Sequence, residues 1–237
     1  MFFSGPIVEL PKITTPTAAE ICAQSKPSSE GKALLIPGMT PAEYLHALEK
    51  NKMSVDSVHF LAHGLPEKDG ICWACQASRM TAPKLSAPEM NALQLTETWL
   101  KAPTPDLHAS IAAALGKVDF TGPGSWAAQS AMWAKAPGAP PIPAIPGMPA
   151  VNLVAAAVAG AILLAAGLKI GPAMPPVPKL KLETPKMPPP EMLVQLQKPQ
   201  VPPQPQIPVL NQPKLMKLLL PFIDLGKNVA SGKVKCC

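Results

Sequence analysis

With 237 residues the chain could hold one or two domains, but its 33 prolines crowd between Pro137 and Pro213, so the residues before about 136 must carry most of the core. Apolar residues make up 47% and aromatics only 4%, with alanine abundant, which favours close-packed helices over a β-sandwich. The net charge of +6 owes much to lysines after Lys179, and Arg79 is the only arginine. No Arg/Lys stripe interleaves with aromatics, which argues against nucleic acid as a partner.

Residues 1–14 read as an extended N-terminal arm, loosely held. TPTAAEICAQ predicts a short helix with Thr15 as N-cap, Pro16 at the first helical position and Glu20 in the first turns. A second short helix is expected from Ser29 to Ile36, stopped by Pro37-Gly38. Thr40-Pro41-Ala42-Glu43 combines a capping box with an early proline and opens a third, ending near Lys52, with Tyr44, Leu45 and Leu48 inward. The fourth runs from about Ser54 to Gly64, with Val55, Val58, Ala62 and Leu65 on one side and Leu61 beside them. Glu67 to Thr81 is the fifth, with Ile71, Cys72, Cys75 and Arg79 at helical steps.

A second capping box, Ser86-Ala87-Pro88-Glu89, opens the sixth helix, whose Met90, Leu93, Leu95 and Trp99 are mostly inward. Thr104-Pro105-Asp106 opens the seventh, ending at Gly116. SWAAQSAMWAK makes an eighth, with Trp126 and Trp133 on one face. Residues 137–149 are too rich in proline for helix and form a polyproline-type strap. The apolar run 151–168 reads as a buried helix whose small residues allow close approach, with a membrane segment as the alternative. The Pro-rich tail from Pro172 to Pro213 lacks a core of its own, and the last apolar stretch is expected to be a short helix broken near Pro221. The fold class is therefore all-α: a compact bundle of about eight or nine short helices over 15–171, followed by an extended proline-rich tail, 172–237.

Val55 to Met80 gathers the most diagnostic residues: His59, His63, Trp73 and the Cys72/Cys75 pair. A redox CxxC needs a helix N-terminus on a βαβ frame, and here it falls inside a helix with no strand before it. Zinc needs four ligands; His59 and His63 at i, i+4 could complete a Cys2His2 set, yet nothing turns that face toward Cys72. Small buried thiols packed by Trp73 are the preferred reading. The histidine pair lacks the glutamate of an HExxH site, and His63 is placed to cap carbonyls at the helix end. His46 and His108 read as surface residues. No glycine-rich phosphate loop and no G-x-S-x-G appears, so no catalytic, cofactor-binding or metal residues are assigned and an enzyme is not expected.

Five cysteines do not make a disulfide scaffold and fit a reducing compartment. The N-terminus lacks the features of a signal peptide, so a cytoplasmic protein is expected. Cys236-Cys237, with Lys227, Lys233 and Lys235 upstream, resembles a doubly lipidated tail, although an incidental pair is the simpler reading. In the tail, Met192, Val194 and Leu196, then Ile207 and Val209, alternate as a segment adding to a partner's sheet edge would.

TAAEICA, PGMTPAEYLHAL, VHFLAHGLP, WACQASR, TGPGSWAAQSAMW and AVAGAILLAAGL, in this order, resemble an uncharacterised bacterial domain-of-unknown-function family often encoded beside type VI secretion genes. The resemblance spans about Ile13 to Gly167 and implies a context without a mechanism or functional residues. Together with the two-part architecture, it leads to the expectation of a non-enzymatic adaptor of type VI secretion. The helical domain and the tail would bind a spike, adaptor or effector component, and the chain would be cytoplasmic or exported through the apparatus. A membrane-associated protein anchored by 151–168 or by the basic Cys-terminated tail is the alternative, and a small zinc or thiol protein the third reading.

Overall fold

The computed structural model describes residues 6–134, 152–169 and 212–234. These contain ten α-helices: α1 (Ala18–Ser25), α2 (Ser29–Ala33), α3 (Pro41–Lys50), α4 (Ser54–Gly64), α5 (Glu67–Arg79), α6 (Ala87–Lys101), α7 (Pro105–Leu115), α8 (Pro123–Trp133), α9 (Leu153–Lys169) and α10 (Gln212–Ala230). A 3-10 turn, Ala82–Lys84, links α5 to α6, and no strand occurs among the described residues. The fold is an all-α bundle.

Local chemistry places three helix starts where the caps predict them. Both capping boxes close: Thr40 and Glu43 bond reciprocally at the start of α3, as do Ser86 and Glu89 at α6. Thr104 accepts from the Leu107 amide at α7. The first helix is a correction, because it begins at Ala18 behind Thr17 and not behind Thr15. The Ala18 amide donates to the Met39 carbonyl at 2.8 Å, so a tertiary bond satisfies a helix-end donor that Thr15 was expected to cap. The second helix stops at Ala33, three residues earlier than expected.

Helices α5 and α9 form the centre. The α8 helix packs on both, α6 and α7 join α8, α1 and α3 pack on α4, and α4 itself lies against α9. The α8–α9 pair is rich in small buried residues, Ala127, Ala128 and Ala131 on α8 and Ala157, Ala161 and Ala165 on α9, and Gly160 of α9 lies against the Trp126 ring of α8. Trp126 and Trp133 share a face as expected, but both are only half-buried. Gly70 of α5 lies beside Val158, and an added Cβ there would make an ordinary contact at 3.6 Å.

The α9 helix is buried in the bundle along most of its length, as the core-helix reading requires. No helix among the described residues is long and apolar enough to cross a membrane. Using α9 as an anchor would mean opening the core.

Three further expectations change. Val58, Leu61, Ala62 and Leu65 are buried as expected, but Val55 is exposed, and α4 also buries Phe60 and the polar Ser57 and Asp56. The N-terminal arm is not loose over its second half, since Leu10 and Ile13 are buried and the Lys12 ammonium lies 2.6 Å from Asp69. Finally, the C-terminal apolar stretch is one 19-residue helix, α10, running through Pro221 and packed on α4, α5 and α9. Proline removes the amide that would bond the Lys217 carbonyl. Both residues lie on the exposed side of α10, where water can serve that carbonyl. The strap 137–149 and the tail residues Met192, Val194, Leu196, Ile207 and Val209 lie outside the described residues, as do Cys236 and Cys237.

Candidate functional site

Ile36, Pro37, Gly38 and Met39 form a β-turn closed by the Met39 amide on the Ile36 carbonyl at 3.2 Å. Proline in second place and Gly38 at φ +79° in third are the requirements of a type II turn. The turn is tied to α1 through the Ala18–Met39 bond, so its geometry is held from two directions. Ile36 is thereby pointed outward and is 62% exposed, the most exposed large apolar side chain among the described residues. Ile7 of the arm, itself 45% exposed, borders the same open groove of ≈ 840 Å³ with Leu34, Met39 and His46. Glu43 and Lys50 stand at its edge. An apolar floor with a charged rim is the composition of a protein-docking surface. Sequence reasoning saw Ile36 as a helix end and His46 as a plain surface residue; the turn signal Pro37-Gly38 was the available clue.

A partly buried polar cluster joins α2, α3 and α4. Asp56 of α4 accepts from the Ser28 amide at 2.9 Å and from its hydroxyl at 2.6 Å, and Ser28 in turn caps Gly31. The Tyr44 hydroxyl donates to the Gly31 carbonyl at 2.9 Å. Burial raises both the Cys22 thiol and the Tyr44 phenol above their usual ranges; a hydrogen bond between them opposes the rise at Cys22 and adds to it at Tyr44. A protonated thiol and phenol are poor nucleophiles, so this cluster reads as a brace for α2.

Cys72 and Cys75 are buried in the middle of α5, well past its first turn, where the helix dipole offers little to a thiolate. Cys72 is disulfide-bonded, which corrects the reading of that residue as a simple buried thiol. The Gln76 amide lies 3.3 Å from its sulfur. His63 Nδ1 sits 2.8 Å from the His59 carbonyl, the end-capping role expected of it, and the two rings are tilted 6.5 Å apart. Burial pushes both histidines below their ordinary value; His63 lowers His59 further, while the carbonyl bond opposes the shift at His63. Among the described residues no group of three or more His, Cys, Asp or Glu is placed to hold a metal ion. Arg79 clamps α5 to α6 through two bonds to Glu97, at 2.8 and 2.6 Å.

Trp73, fully buried, is the other focus. Its indole donates to the Phe222 carbonyl of α10 at 2.9 Å, and Gly226 lies directly against the ring. A family model described as a family of unknown function (DUF6931) matches residues 44–175. The chain belongs to that family. The DUF6931 match starts within α3 and takes in α4 to α9, so Trp73 lies inside it while Ile7, Ile36 and all of α10 lie outside. It begins some thirty residues later than the span suggested by the sequence resemblance and ends at a similar point. No curated protein and no solved structure matches the chain.

Proposed function

We propose that the chain is a non-enzymatic helical interaction protein that docks a protein partner on the Ile7–Ile36 groove. The observation that carries this reading is the outward Ile36 on a rigid type II turn, above a groove bordered by Ile7, Leu34 and Met39. Exposing that much apolar surface costs solubility, and a partner that covers it supplies a reason for its presence. The family resemblance adds the context of bacterial type VI secretion, with a spike, adaptor or effector component as the partner.

The test is affinity capture of the full chain from its native cells, followed by mass spectrometry, beside Ile36→Asp and Ile7→Asp variants. Recovery of a secretion component by the parent chain and its loss in both variants is the expected result. Undiminished recovery by the variants would remove the groove from the proposal. Recovery of no secretion component at all would remove the secretion context.

A further inference from the structure

One face of α9 is left open by the bundle. Its neighbours α4, α5, α8 and α10 bury the other sides of the helix, while Leu153, Ala156, Gly160, Leu164 and Gly167 stay exposed or half-buried. Their 3-, 4-, 4- and 3-residue steps set them on one arc about 80° wide, at about 100° per residue. Leu153 is 41% exposed, and no charged residue lies between Asn152 and Lys169. A helix on the outside of a bundle ordinarily turns a polar face to water, and one that is apolar all round is a covered helix.

The order of sizes along this arc selects the cover. Counted outward from Gly160, Ala156 and Leu164 each stand four residues away, and Leu153 and Gly167 each stand seven. At both distances a large side chain on one side mirrors a small one on the other. Turned about a two-fold axis through Gly160, an antiparallel second α9 sets Leu153 on Gly167 and Leu164 on Ala156, each contact occurring twice. Gly160 lies at the axis with the Trp126 ring beside it, an added Cβ there being 3.5 Å from the ring. A lipid surface gains nothing from such alternation, whereas a rigid copy of the same face interlocks with it. The open strip is about 25 Å long and, with the edge of α8, about 20 Å wide, so two copies cover roughly 1,000 Å² in all. That is the lower limit for a specific contact, which implies a weak and reversible dimer. We propose that this face of α9 is a self-association surface, joining two copies of the chain as an antiparallel α9 pair centred on Gly160. It shares no residue with the Ile7–Ile36 groove, and each proposal stands or falls separately.

The test is sedimentation velocity of the full chain over a concentration series, after iodoacetamide treatment so that no new intermolecular disulfide forms. The parent is expected to self-associate with a Kd of about 10–100 µM, in keeping with a contact of this size. Leu153→Lys and Gly167→Glu each set a charge on the apolar strip and should weaken the dimer at least about tenfold. Nothing lies within 4 Å of a Cβ added at Gly167, so that substitution should leave the melting temperature of the single chain unchanged. Combining the two sets the new lysine of one copy against the new glutamate of the other and should restore association to within about threefold of the parent. Within one chain the two sites lie about 21 Å apart along the helix, so such restoration is intermolecular. A parent that stays monomeric well above the expected range overturns the proposal, as does a dimer that either single variant leaves at full strength. A double variant no tighter than the singles refutes the antiparallel pairing. Flotation of a monomeric parent with phosphatidylglycerol–phosphatidylethanolamine vesicles, lost in both single variants, would assign the strip to a lipid surface and likewise overturn it.

Discussion

Helices α9 and α10 both cover α4 and α5, yet they are held by different physics. The α9 helix is apolar on nearly every face and packs on α8 and α5 without a side-chain hydrogen bond of its own apolar residues, so its position is set by shape. The α10 helix is amphipathic and is located by discrete bonds: Trp73 to Phe222, Lys227 to Glu49, and the Lys12 amide to the Ala230 carbonyl at 3.1 Å. Where the two helices meet, the Lys169 ammonium at the end of α9 lies 4.9 Å from the Phe222 ring. Shape-set packing tolerates no added volume but needs no particular partner group. Bond-set packing fails when one partner is removed, even if the volume is kept.

The largest test of this contrast is Trp73→Ala, which empties a fully buried site beneath α10 and is expected to cost about 3–5 kcal/mol in urea unfolding. Trp73→Phe keeps much of the ring but removes the indole donor; a loss near that of Trp73→Ala would show that the hydrogen bond dominates the seam. On the α9 side, Ala161→Leu adds volume at a position with no exposure and should cost about 1–3 kcal/mol. Retention of full stability there would mean that the small-residue seam has slack, contrary to the shape argument.

Lys227→Met keeps the length of the side chain and leaves Glu49 buried without its cation, with an expected loss of about 1–3 kcal/mol. Burial alone would lower the Lys227 pKa, but the hydrogen bond and charge of Glu49, joined by Asp224, outweigh it and hold the lysine above its ordinary value. Its contribution is therefore present below the unfolded lysine pKa and is lost as pH rises through the raised folded value. Parent and variant should converge in stability at strongly alkaline pH; a constant gap would assign the effect to packing.

The smallest effect is expected in acid. His59 and His63 are held below the ordinary value of 6.5, first of all by burial. The unfolded chain then binds protons that the folded chain refuses, so their contribution is complete above 6.5 and is lost as pH falls through the lowered folded values. His63→Gln should flatten the fall in melting temperature below pH 6.5, and an unchanged slope would acquit that histidine.

The sequence by itself determined the all-α class and the starts of α3, α4, α6 and α7. Those depend on contacts within three or four residues: Thr40 with Glu43, Ser86 with Glu89, Thr104 with the Leu107 amide. Only the tertiary structure decided what lies far apart in the chain. Thr15 read as a cap because the Ala18–Met39 bond cannot be seen locally, and Val55 read as inward because its helix is packed on several faces. Ile36 had no reason to look exposed until the turn was anchored to α1. Pro221 argued for a broken helix, and it was a legitimate argument for an isolated segment. What keeps α10 whole is the seat formed by Trp73, Glu49 and their neighbours, about 150 residues earlier in the chain, which stabilises a helix that local propensity alone would not.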